Sequence, residues 1–334
     1  MTFGEVTLDL ADLVLLGLQL GAWARFEAQA RRGVALEALG LPEVPKEEVR
    51  AGATRFRYLH WLVAAAEFRA WLAARSVTVP ELGSAIAREL LREREKARSL
   101  DEPVPDVSGV LWVEAVLDGV LRELAREAGD RLAAAFRIDT EALPPADPDV
   151  IGTLVDRALR LPLRGVTGLG ESELRGRVIR LDRLTGALNE LREQVADERR
   201  LERCLASHKL DWLQIEGEEL ALATEGAALE ARMLMVEDGL APAGAAELAH
   251  TEINHRRVIL GAVPAEANMA LVGTSAGEVA GPWYESGHWR LMLVHSKSQP
   301  SVEDPAIRER ATRELMREVL DRTLAGRITW RQPL

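Results

Sequence analysis

Apolar residues recur at steps of three and four through roughly the first two hundred residues, and the pattern changes after Leu210. The run from Leu13 to Trp23 reads as a buried helix, being shorter than the ~20 residues a bilayer crossing needs. Tyr58, Leu62, Ala65 and Leu72 share one helical side, with Arg55, Arg69 and Arg75 directed to solvent. A loop ending at Thr78 or Val79 leads into Pro80 and Glu81, which suit a helix start, and that helix is expected to reach about Arg98. Pro103 and Pro105 interrupt the pattern between Asp101 and Gly109; Leu111 to Phe136 predicts another amphipathic helix. Prolines at 144, 145 and 148 and glycines at 165, 168 and 170 punctuate the middle. The glycines lack the GxGxxG spacing and follow a helical segment, so they do not read as a nucleotide loop. Leu174, Val178, Leu181, Leu184 and Leu188 carry helical periodicity through Glu171 to Ser207.

Beyond Leu210, the segment from Asp211 to Glu216 alternates polar and apolar residues as a half-buried strand does. Thr224 caps a predicted helix from Glu225, and Ala241 to His250 predicts a second, short one. Arg256 to Gly261 is a candidate strand, an irregular loop follows, and Trp289 to His295 is rich in strand-forming residues. Asp304 and Pro305 open a last helix that Gly326 closes ahead of Arg327 to Trp330. Strand, two helices, strand, loop and strand is the order of a small α+β domain with an antiparallel sheet.

A chain of 334 residues has room for two or three domains and a core that needs no staples. Its net charge of −11 argues against a grip on phosphate backbones, which leaves nucleic acid out as a partner. Glu5, Asp9 and Asp12 precede the first basic residue, unlike the start of a secretory signal. The single cysteine, Cys204, is the usage of a reducing compartment, so a cytoplasmic protein with no membrane partner is expected. Arg199, Arg200 and Arg203 stand close enough in sequence to favour the Cys204 thiolate, although a lone helical cysteine is more often simply packed. The six histidines show no zinc spacing, and neither a metal nor a cofactor is called for.

The most specific string runs from Gly277 to Val294. Gly277, Glu278, Gly281, Pro282 and Gly287, with a hydrophobic strand behind them, resemble the signature of the parvulin-type peptidyl-prolyl isomerases. The resemblance implies an N-terminal helical domain like that of the SurA and PpiC chaperone isomerases, ahead of a parvulin-like domain with a small antiparallel sheet. The expected boundaries are a helical bundle over 1–138, a Pro/Gly-rich connector over 139–170, a connecting helix over 171–208, the parvulin-like domain over 209–300, and a closing helix with return strand over 301–334. Length and the Leu210-Asp-Trp212 entry resemble PpiC-related proteins of peptide maturation systems. That implies a peptide or unfolded polypeptide as partner, in particular a precursor peptide of a ribosomal natural product.

A parvulin places one histidine on its first strand and one on its last. Here those positions are read as Trp212 and Trp289, so the usual histidines are replaced. Eight tryptophans against two tyrosines fit a surface that grips something, and Trp212, Met269, Trp283 and Trp289 are the candidate substrate-binding residues. Space-filling indoles that lock the sheet are the plainer alternative. His288 and His255 are the candidate acid–base residues. Three activities fit this set: peptide binding as a chaperone, prolyl isomerisation with non-standard polar groups, or another covalent change made to a peptide.

Overall fold

The structure, a computed structural model, describes residues 2–3, 6–99, 107–161, 163–325 and 328–329. The Pro103–Pro105 break and the Gly326 and Trp330 closure lie outside the described residues. The chain divides into two compact units, Met1–Leu191 with Val319–Leu334, and Arg192–Glu318.

The first unit is helical. After the short strands β1 (Thr2–Phe3) and β2 (Val6–Thr7) come α1 (Leu10–Gln19), α2 (Trp23–Ala38), α3 (Lys46–Leu59), α4 (Ala65–Ala74), α5 (Val79–Arg94), α6 (Ser108–Leu117), α7 (Val120–Ala135), α8 (Pro148–Arg160) and the start of α9 (Glu171–Val195). One apolar core runs through them, with Trp23 stacked on Trp112 at 6.4 Å and Phe26 beside them. The α5 start is a reciprocal cap: Thr78 accepts from the Glu81 N–H while Glu81 accepts from the Thr78 N–H. The stretch read as a connector carries α8, capped by Asp147 with Pro148 at its first position.

Three long periodic segments are cut. The expected helix over Leu111 to Phe136 breaks at Gly119, whose φ of 84° is open to glycine and closed to most residues. The 171–207 segment breaks where Asp197 caps α10 (Glu198–Ser207). The 58–72 face breaks at Trp61, with φ of 56°. This last break rotates the expected sides: Tyr58 is exposed, and Arg75 is buried, stacked on Trp71 at 3.9 Å and donating to its carbonyl oxygen.

The second unit follows α10 with β3 (Gln214–Leu222), α11 (Glu225–Val236), α12 (Pro242–Leu248), β4 (Ile253–Ile259), α13 (Ala265–Gly273), β5 (Val279–Glu285), β6 (His288–Ser298) and most of α14 (Pro305–Leu324). The four strands form an antiparallel sheet in the order β4-β3-β6-β5, so the first and last strands of the unit are central neighbours. This is the α+β architecture the strand and helix order implied. Two elements were not foreseen: α13, inside the expected loop, and β5, inside the glycine-rich turn. Thr224 and Asp304 cap α11 and α14 as read, through hydrogen bonds to the Ala227 and Ala306 N–H groups. The chain ends its described part in β7 (Ile328–Thr329), which pairs antiparallel with β1 in the first unit.

Within the helical unit, Asp130 on α7 is half-buried. Burial, with the charges of Glu127 and Asp321, pushes its carboxyl up to about 6, against the pull of Arg131. A raised acid pKa means the folded state holds the proton more tightly than the unfolded chain, so stability falls as pH climbs from the ordinary 3.8 through about 6. Asp130→Asn is therefore expected to stabilise the protein by on the order of 1 kcal/mol at pH 7.5 and to give no gain near pH 4, read by urea denaturation. A loss of stability at pH 7.5 would contradict this electrostatic reading.

Candidate functional site

Strand alternation divides the sheet of the second unit into two faces. On one, Ile215, Val258, Ala280, Trp283, Met292 and Val294 pack beneath Ala267 and Leu271 of α13. On the other, Leu220, Leu222 and Leu291 pack against α11 and α12. The register sets Gly217 opposite Arg256, Glu219 opposite Met292, and Trp283 opposite Arg290. Arg256, Glu219, Arg290 and Glu285 therefore share the α13 face. Two glycines allow the strands this close. A Cβ on Gly217 would stand 2.2 Å from the Leu293 carbonyl oxygen, and Gly281, at φ 103°, would put one 2.7 Å from that of Arg290.

These four charged side chains bond only with one another and their own strands. The Glu219 carboxylate, 2% exposed, accepts from Nη1 of Arg256 and from Nη1 of Arg290. Arg256 also grips Glu285 with two bonds of 2.9 and 3.1 Å. Nε of Arg290 lies 3.3 Å from the Glu285 carboxylate, and Trp283 reaches it with its indole N–H at 3.5 Å. Two guanidiniums and two carboxylates leave no net charge, and each buried charge has its counter-ion. Hydrogen bonding and charge from Arg256 hold the Glu285 carboxyl below its ordinary value, and the same contacts push Arg256 further up. A guanidinium only donates and an ionised carboxylate only accepts.

Of the expected site residues, Trp283 touches the quartet and the others do not bond to it. Trp212 precedes β3, in the turn after α10, stacked on His208 at 4.6 Å and buried with Leu201, Leu205, Ile307 and Ala311. Trp289 sits opposite Leu222 at the far end of β3, edge-on to Tyr284 at 5.6 Å. About nine residues of strand, at ~3.3 Å each, separate the two indoles, so they do not floor a common groove. Trp283 is buried on the α13 face, the opposite side of the sheet from Trp289. Met269 is 71% exposed on α13. His255 is exposed on the α11 and α12 face, its Nε2 3.8 Å from Glu218, which His295 approaches at 3.7 Å. His288 is exposed at the β5–β6 turn, its Nδ1 3.3 Å from the Ser286 carbonyl oxygen. Neither histidine bonds to the quartet. The Cys204 thiol is pushed up by burial and by Glu314 and Glu318, the reverse of the activation its neighbouring arginines suggested.

The polar residues of the first and last strands that do meet are Glu219 and Arg290. Sequence reasoning passed over both. The signal was weak: Arg290 stands between Trp289 and Leu291, but Glu219 is one of three glutamates on β3.

No protein-family model and no curated protein matches the chain. Solved structures similar to it include two forms of PrsA. The peptidylprolyl isomerase PrsA from Bacillus anthracis is 12% identical over 63% of this chain and 100% of its own, with a TM-score of 0.33. The foldase protein PrsA from Streptococcus pneumoniae is 11% identical over 70% of this chain and 94% of its own, with a TM-score of 0.30.

Removing one buried partner leaves the others uncompensated, so Glu219→Ala is expected to cost about 3–5 kcal/mol in urea denaturation. Replacing all four, Glu219, Arg256, Arg290 and Glu285, together by Leu, Met, Leu and Met should recover most of that loss. Because Glu285 titrates below its ordinary 4.5 in the folded state, its contribution is complete above that pH and disappears as the pH falls through the lower folded value. A Glu219→Ala cost under about 1 kcal/mol would mean the quartet is a solvated surface cluster.

Proposed function

We propose that the chain is a parvulin-like peptide-binding protein that has exchanged the isomerase's polar pair for a closed ion quartet. One observation carries this reading: β3 and β6 are adjacent, and their inward polar residues, Glu219 and Arg290, are bonded on the face that α13 covers. The parvulin resemblance asks for a polar pair from the first and last strands. Stabilising a twisted prolyl amide needs polar groups free to favour it over the planar form. Here those groups are engaged with one another, which favours holding a peptide over isomerising it.

The contact surface we assign is the open side of α13, where Met269 and Val272 lie one turn apart and exposed. Exposed apolar side chains on a helix laid over the sheet suit a peptide with an apolar anchor. The partner we favour is a precursor peptide awaiting maturation in the cytoplasm, with the helical unit as companion domain. That finer choice rests on the resemblance to peptide-maturation proteins.

Proline-containing and aromatic peptides are expected to bind with micromolar affinity, of order −8 kcal/mol, in fluorescence anisotropy. Met269→Glu should weaken binding about tenfold, by roughly 1.4 kcal/mol, without changing stability, because the side chain is already in water. A protease-coupled isomerisation assay should show no acceleration over buffer. Acceleration would establish the isomerase alternative, and unchanged binding in Met269→Glu would remove the α13 surface.

A further inference from the structure

Trp61 stands where backbone geometry asks for glycine. At the end of α3, the Leu62 N–H bonds to the Arg57 carbonyl oxygen at 2.8 Å and the Trp61 N–H to that of Tyr58 at 3.1 Å. This is the Schellman termination, and Trp61 holds its left-handed position at φ 56°. The same turn ends α4 and α12 with Ser76 and His250 in that position. A bulky ring there is a genuine outlier, and packing does not explain it, since Trp61 is 85% exposed. Tyr58, Leu59 and Val63 are exposed beside it. The turn is held firmly all the same: Arg57 donates from Nε to the Leu62 carbonyl oxygen at 3.1 Å, and from its Nη2 to that of Val63.

We propose that this α3–α4 apex docks on an anionic lipid surface. The charges around it have the matching sign, on a chain whose net charge is −11. Arg55, Arg57 and Arg69 lie within eight residues of Trp61 along the chain, and Arg122 of α7 is close enough, with Arg75, to lower the His60 pKa after burial has done so. Glu67 and Glu89 are the opposing carboxylates; Glu93, Glu114 and Asp118, which line a cavity together with Arg55, Leu59 and His60, are held by Lys96, Arg88, Arg92 and Arg25. Electrostatic attraction acts over a Debye length of ~8 Å, so this local surplus is felt before the acidic remainder of the chain. A protruding tip needs no complementary groove in a bilayer interface, where Trp and Tyr rings settle and arginines reach headgroups. Among the described residues, no helix is long and apolar enough to cross a membrane, so the contact is peripheral. This departs from the expectation of no membrane partner.

The test is flotation of the full chain with phosphatidylcholine vesicles, with and without phosphatidylglycerol. Binding is expected only with phosphatidylglycerol, weakening about tenfold or more in Trp61→Gly and in the double variant Arg55→Glu, Arg69→Glu. Trp61→Gly suits the left-handed backbone, so its Tm should be equal or higher, which separates a docking role from a structural one. No flotation with anionic vesicles overturns the proposal, as does Trp61→Gly binding like the native chain. A native dimer that Trp61→Gly disperses, without vesicle binding, assigns the apex to a second copy instead.

Discussion

The second unit depends on one constraint: a carboxylate taken out of water must be met by cations. Glu219 lies on a central strand, and burial there is tolerable only because Arg256 from one neighbouring strand and Arg290 from the other reach it together. Those bonds clamp three adjacent strands across one face. Glu285 then closes the ring from the edge strand. The arrangement ties register to chemistry, because a shift of one residue on any strand would send its charge to the apolar α11 and α12 face.

That constraint also shapes what the face can do. Charges that neutralise one another keep their hydrogen-bond donors and acceptors engaged within the quartet. The apolar cluster of Trp283, Met292 and α13 lies on the same face as this polar set, and Trp283 touches both through its indole N–H. The proposal that the chain holds a peptide rather than isomerising it rests on that engagement.

Much of the fold was readable from local chemistry. Caps at Thr78, Thr224 and Asp304 are short-range hydrogen bonds, and the residues that make them are adjacent in sequence. Periodicity was a poorer guide to where helices stop, since Gly119, Asp197 and Trp61 break runs whose apolar spacing continues past them. Trp212 and Trp289 were paired from the order of a motif along the chain, whereas which residues stand side by side is set by the register of β3 and β6. Helix α13 was hidden because its exposed Met269 and Val272 blur the amphipathic pattern. The cavity-lining and apex residues of the helical unit carried no recognisable motif at all.

The most direct test is a double-mutant cycle between Glu219 and Arg290, using Glu219→Gln, Arg290→Met and the pair, with stability read from urea denaturation. A closed quartet predicts strong non-additivity, a coupling of about 2 kcal/mol or more. Additive losses, with coupling below about 0.5 kcal/mol, would mean the two side chains do not meet, and the account of the site would be wrong.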